Sequence, residues 1–126
     1  MTRWRVAGMH APEASRLLQG ALGNADEVLV TSDLEGVQDV LAGSADLFLG
    51  VCATGAGGAL AMAQVFAGPE KCLTLNPGMS AKEISQALDS GVNCFGLPAD
   101  QLRTLVPLLA GIVQAHRTPN GPSPGI

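Results

Sequence analysis

The sequence predicts an α/β protein with a single-domain, Rossmann-like, doubly wound sheet of about five mainly parallel strands and helices on both faces. Three observations carry this. Short apolar runs alternate with stretches of helical periodicity along the chain, the order expected of parallel βαβ units. Two of the helical stretches open on capping-box patterns. A chain of 126 residues, 47% apolar and 14% charged, is long and apolar enough for one core-rich domain. We expect that domain to span residues 1–117, followed by a flexible Pro/Gly-rich tail at 118–126.

In order, residues 5–9 (RVAGM) form a short apolar strand that ends in His10. Pro12 suits a first helical turn, and Leu17, Leu18, Ala21 and Leu22 recur at helical spacing until Gly23 and Asn24 close the helix. Residues 27–31 (EVLVT) make the second strand. Ser32 and Glu35 then stand so that the serine oxygen meets the glutamate amide and the carboxylate reaches back. Leu34, Val37, Val40 and Leu41 give this helix its inner face before Gly43. Residues 47–51 are the third strand, which runs into Cys52. Thr54, Gly55, Ala56, Gly57 and Gly58 form a turn, and a buried alanine-rich helix follows until Gly68 and Pro69. Residues 71–76 (KCLTLN) are the fourth strand, Pro77 and Gly78 a turn, and Ser80 with Glu83 a second capping box opening a helix through Leu88. Residues 92–97 (VNCFGL) are the fifth strand. A last helical pattern covers residues 100–116, with Pro107 set to kink it or mark a fresh start.

Composition excludes several functions. A net charge of −4, with seven basic residues and no basic stripe, argues against sequence-independent nucleic-acid binding. Three widely spaced cysteines without a CxxC pair suit neither a zinc site nor a disulfide framework, and point to a reducing cytoplasm. No signal-peptide pattern opens the sequence, and its apolar runs are too short to span a membrane. No metal or cofactor is expected: the glycine turn lacks the GKS/T ending of a triphosphate loop, and no GxGxxG is present, so ATP and NAD fit poorly.

The candidate chemistry lies where the third strand meets the glycine turn. Strand, glycine turn and helix in that order gather unpaired backbone N–H groups, which attract an anion. Cys52 at the mouth of the turn is a candidate base or nucleophile, and Thr54, Gly55, Ala56, Gly57 and Gly58 are the candidate anion-binding residues. Two readings stay open for Cys52, a reactive thiol or an inert one in tight strand–helix packing. His10 could move a proton or hold a ligand hydroxyl, or be a solvent-exposed loop histidine. Ser32 and Asn76 also fall at or just past strand ends, where ligands of doubly wound sheets bind. Cys72 and Cys94 read as core, Lys71, Lys82 and Arg103 as surface charges, His116 as a helix C-terminal charge, and Asp33 and Glu35 as capping residues.

The stretch ADLFLGVCATGAGGALAMA carries two resemblances. Nearly the whole chain up to the tail resembles a bacterial family of unknown function typified by YhfU, with its Cys-Xaa-Thr-Gly stretch and Ala-Met-Ala helix. That likeness implies a fold and supplies no activity. Residues 6–96 resemble, more distantly, ribose-5-phosphate isomerase B and related sugar-phosphate isomerases, on which Ala45, Asp46, Cys52, Thr54, Gly55 and Gly57 fall at matching positions. The second resemblance implies that Cys52 removes a proton beside a carbonyl while the amides of residues 55–58 hold the enediolate, and that His10 contacts substrate. The chain departs from that pattern at Met9, where the family has aspartate. It also has no histidine between residues 76 and 93, where a second catalytic one is expected. Arg103 is the nearest candidate for the family's phosphate-holding arginines. A weaker likeness is to the B components of sugar phosphotransferase transporters, whose phosphate-accepting cysteine follows the first strand.

These readings lead to binding of a small phosphorylated or carboxylated metabolite, with aldose–ketose isomerase-type proton transfer at Cys52. The alternatives are a non-catalytic binding or regulatory subunit and a phosphocysteine carrier. The apolar circumference of the third helix predicts association, and a C2 homodimer is expected.

Overall fold

The computed structural model describes residues 1–53 and 58–117, and the architecture below concerns these residues. Five strands alternate with five α-helices: β1 (Arg3–Gly8), α1 (Ala11–Leu22), β2 (Glu27–Val30), α2 (Asp33–Leu41), β3 (Leu47–Cys52), α3 (Ala61–Phe66), β4 (Cys72–Thr74), α4 (Ala81–Asp89), β5 (Cys94–Pro98) and α5 (Leu102–Arg117). All strand pairs are parallel, in the order β2-β1-β3-β5-β4. This is the expected doubly wound α/β sheet in one domain.

Strand alternation sends neighbouring side chains to opposite faces and so builds two cores. Trp4, Val6, Leu49 and Phe95 face a large core closed by Leu18 of α1, Ile84 of α4 and Leu105 and Leu109 of α5. Ala7, Phe48 and Cys94 face a smaller one closed by Val37 of α2 and Ala63 of α3. On that second face α2 comes very close to the sheet: a Cβ at Gly36 would stand 2.8 Å from the Phe48 ring.

Both capping boxes form. The Ser32 hydroxyl accepts from the Glu35 amide and the Ser80 hydroxyl from the Glu83 amide, each at 3.1 Å. Four expectations need correction. The inner face of α2 is narrower than its apolar spacing suggested: Val37 is buried, but Leu34 and Leu41 are 39% and 52% exposed. The alanine-rich helix is not buried all round; within α3 only Ala63 is buried, because a 3-10 turn at Gly58–Leu60 takes the deep positions first. Helix α5 runs on through Pro107, which therefore marks no fresh start. Strand β1 starts at Arg3, because Asp46 grips the Arg3 backbone N–H at 2.7 Å and its guanidinium at 3.2 Å.

Charged residues on β1 are tied to the elements beside it. Arg5 is buried, and it donates to Asp39 of α2 at 2.7 Å and Glu27 of β2 at 2.8 Å. Burial opposes its charge, yet the two carboxylates hold its pKa above the ordinary value.

Candidate functional site

Strands β2 and β3 lie on opposite sides of β1, so the helices that follow β1 and β2 leave on opposite faces of the sheet. Such a reversal opens a crevice outside the strand C-termini, where doubly wound sheets take ligands. Three strand ends meet there. The Thr31 N–H donates to the Val6 carbonyl at 2.9 Å, and the Met9 N–H to the Val51 carbonyl at 2.9 Å.

The end of β1 is held in a tight shape. Gly8 has φ +98°, and a Cβ on it would meet the Val51 carbonyl oxygen at 2.1 Å, so only glycine fits. Two residues on, His10 has φ 56° and ψ 27°, the one non-glycine residue with positive φ among the described residues. Such backbone is uncommon outside glycine and collects at functional sites. His10 is exposed and caps α1 with its backbone, making no side-chain capping bond.

Beside it, Cys52 closes β3, half-buried, in register with Pro98 of β5. Thr54, Gly55, Ala56 and Gly57 lie outside the described residues. Beyond these four residues Gly58 is exposed and the chain packs onto β3: a Cβ at Gly50 would stand 2.5 Å from the Ala59 carbonyl oxygen. Helix α3 starts only at Ala61 and has six residues, so its dipole adds little toward Cys52.

The other residues singled out from the sequence fall in different places. Ser32 is on the same rim, with its hydroxyl spent on capping α2. Asn76 follows edge strand β4, two strands from Cys52, and its Oδ1 accepts from the Gly78 N–H at 3.0 Å. Arg103 is largely exposed and reaches Glu13 at 3.4 Å, on the face that carries α1 and α5. His116 contacts Asp89 at 2.6 Å. Cys72 and Cys94 are register partners on β4 and β5. Burial raises both thiols, that of Cys94 to about 12, which keeps them protonated and poor nucleophiles.

Asp33 departs from its expected part. Asp33 does no capping, since Ser32 and Glu35 complete the box between them. Its Oδ1 is buried without a hydrogen-bond partner, and burial raises its carboxyl pKa. Trp4 Nε1, deep in the larger core, is likewise without a partner, and nothing in the structure explains it.

At the opposite end of the sheet a cavity of about 360 Å³ is lined by Met1, Thr2, Ala25, Asp26, Gln114 and Arg117. It is wide open, and Asp26 is already engaged by the Thr2 N–H at 2.9 Å. Among the described residues no three His, Cys, Asp or Glu side chains gather closely enough to hold a metal. Nor is any helix among them long and apolar enough to cross a membrane.

Comparison with known proteins agrees with this fold. The model of a family described as protein of unknown function DUF2620 matches residues 2–113. Uncharacterized proteins YhfU from Escherichia coli K12 and from Shigella flexneri are 30% identical over 112 residues, covering 86% of this chain and 96% of theirs. Among solved structures, ribose-5-phosphate isomerase B from Giardia lamblia superposes with a TM-score of 0.66 at 20% identity, over 92% of each chain. The Thermotoga maritima ribose 5-phosphate isomerase superposes with 0.67 at 20% identity, over 91% of this chain and 84% of that one. At that identity the likeness is one of fold.

Proposed function

We propose that this chain, which belongs to the DUF2620 family, binds a small phosphorylated or carboxylated metabolite where β1 and β3 end and moves a proton on it with Cys52 as the base. The observation that carries this reading is the pairing of a left-handed His10 with a half-buried Cys52 on adjacent strand ends at the reversal of the sheet. The names of the fold neighbours supply the substrate class, a sugar phosphate. The Cys52 thiolate takes the proton from the carbon beside a carbonyl. The electron pair forms the enediolate, whose oxyanion is held by Thr54 and the amides of Gly55, Ala56, Gly57 and Gly58. The proton then returns to the neighbouring carbon, while His10 holds a ligand hydroxyl or shuttles its proton.

Thermal unfolding with inorganic phosphate, ribose 5-phosphate and small carboxylates tests the binding, since a ligand stabilises by mass action. Ribose 5-phosphate should raise the midpoint of both wild type and Cys52→Ser. Exchange of the substrate's carbon-bound proton in heavy water, followed by NMR, should fall at least ~100-fold in the variant, because a serine hydroxyl is too weak an acid to replace the thiol. If no anion stabilises the wild type at millimolar concentration, the proposal is wrong. One observation favours a second reading, a subunit that binds without catalysis: residues 76–93 contain no histidine to open a sugar ring. Stabilisation without proton exchange in the wild type would identify it. We propose further that the protein is a cytoplasmic homodimer, joined through the thinly covered face that carries α2 and α3.

A further inference from the structure

We infer that Cys72 and Cys94 form a thiol pair that a small-molecule disulfide oxidises to a reversible intrachain disulfide, fastening edge strand β4 to β5. Each is the first residue of its strand, so the pair lies at the end of the sheet away from the crevice and does not depend on the anion site. The two residues are distant in sequence, but β4 and β5 pair in parallel with Cys72 and Cys94 as register partners. Register partners in a parallel ladder point to the same face of the sheet. Here it is the face of the smaller core, where Cys94 is fully buried and Cys72 packs against the same cluster. One interstrand spacing, roughly 4.8 Å, separates the two backbones. Disulfides bridge Cα atoms about 4.4–6.8 Å apart. The sulfurs are near enough for each thiol to shift the titration of the other. All three cysteines are free, but Cys52 does not compete for either partner. It is in register with Pro98, four residues along β5 from Cys94, which sets it roughly 13 Å away.

Of the two, Cys72 is the one a reagent reaches. It is half-buried on a three-residue strand at the edge of the sheet, and such short edge elements open readily. The Cys72 thiol donates to the Gly68 carbonyl at 3.5 Å and the Cys94 thiol to Asn93 Oδ1 at 3.3 Å. Thiols are weak donors, so these bonds give way easily. Cys72 Sγ attacks one sulfur of the small disulfide, whose S–S bond breaks. A mixed disulfide forms on Cys72, and the first small thiol leaves with the Cys72 proton. Cys94 Sγ then attacks Cys72 Sγ, and the second small thiol leaves with the Cys94 proton. Two protein thiols are thereby oxidised and one small disulfide is reduced to two thiols. Burial leaves little thiolate on Cys72, and Glu70 adds to this, so the first step is slow. The second is intramolecular, which compensates for the reluctance of Cys94 to ionise. A reducing compartment keeps the pair as the dithiol.

The full chain carrying Cys52→Ser, which removes the third thiol, is incubated with hydroxyethyl disulfide at neutral pH for hours. Remaining thiols are then blocked and the peptides mapped by mass without reduction. The product should be two hydrogens lighter than the starting chain, with Cys72 and Cys94 in one linked peptide and no link between chains. Closing a loop of roughly 20 residues should raise the unfolding midpoint by at least ~4 °C, and dithiothreitol should reverse the rise. Cys94→Ser in the same background should stop at the mixed disulfide on Cys72. Cys72→Ser should leave Cys94 unmodified, and it serves if serine in the core keeps the other variant from folding. Two thiols that persist in Cys52→Ser, or a mixed disulfide on Cys72 that never passes to Cys94, would overturn the pair. A closed form that unfolds no later than the dithiol would overturn the fastening of β4.

Discussion

Single residues at the rim separate what a sequence can show from what it cannot. Cys52 could be proposed from the sequence because a thiol where a strand runs into a glycine-rich stretch is conspicuous in any reading. The state of Asp33 could not: the capping box of Ser32 and Glu35 is local, but the burial of the Asp33 Oδ1 without a partner depends on packing that no spacing shows. The four residues at 54–57 fall outside the described residues, so the part proposed for them rests on their sequence alone. Gly8 offered no signal either: the Val51 carbonyl that leaves no room for a Cβ there lies 43 positions away. Substituting Gly8→Ala would drive a Cβ to 2.1 Å from a backbone carbonyl that cannot step aside. It should cost about 3 kcal/mol or more in urea unfolding. Loss of the left-handed turn should also weaken any anion binding seen in the wild type. A variant as stable as wild type would show that the β1 end is not held as described.

At the scale of elements, what was legible was local. The capping boxes at Ser32 and Ser80 join residues three apart, so the sequence contains both partners. Strand limits depend on distant partners, and β1 begins two residues earlier than its apolar run because Asp46 holds Arg3. That clamp joins the beginnings of β1 and β3 and has a definite pH signature. Burial alone would raise the Asp46 carboxyl, but hydrogen bonds from the Arg3 side chain and backbone outweigh it and hold the group below its ordinary 3.8. A carboxylate held low in the folded state stabilises the fold above its unfolded pKa, and that contribution is lost as pH falls through the folded value. Asp46→Asn should therefore be less stable than wild type by about 1 kcal/mol at pH 7. The gap should close once both proteins are taken well below pH 3.8. Denaturant titrations at neutral and strongly acidic pH measure it, and a gap of the same size in acid would deny the clamp its role.

At the scale of the whole molecule, the two layers over the sheet are unequal. Helices α1, α4 and α5 close one face over a large core; α2 and the six-residue α3 cover the other. The apolar circumference of the third helix was legible in Ala-Met-Ala-Gln-Val-Phe, but its exposure was not, because that depends on how far the preceding turn reaches before the helix starts. On this face Leu34, Leu41, Met62, Val65 and Phe66 are all exposed, Val65 to 77%. Five such side chains carry on the order of 400 Å² of apolar surface. A standard interface buries about 800 Å² per partner, somewhat over half of it apolar. The patch thus matches what one side of a dimer requires, and a two-fold axis lets one short helix cover its own copy. Sedimentation of the wild type at tens of micromolar should give a dimer. Val65→Glu together with Phe66→Glu should give a folded monomer, since neither side chain belongs to the buried core and like charges would face each other across the axis. A wild type that sediments as a monomer, or a double variant that stays dimeric, would remove α3 from the interface and leave this face without its proposed cover.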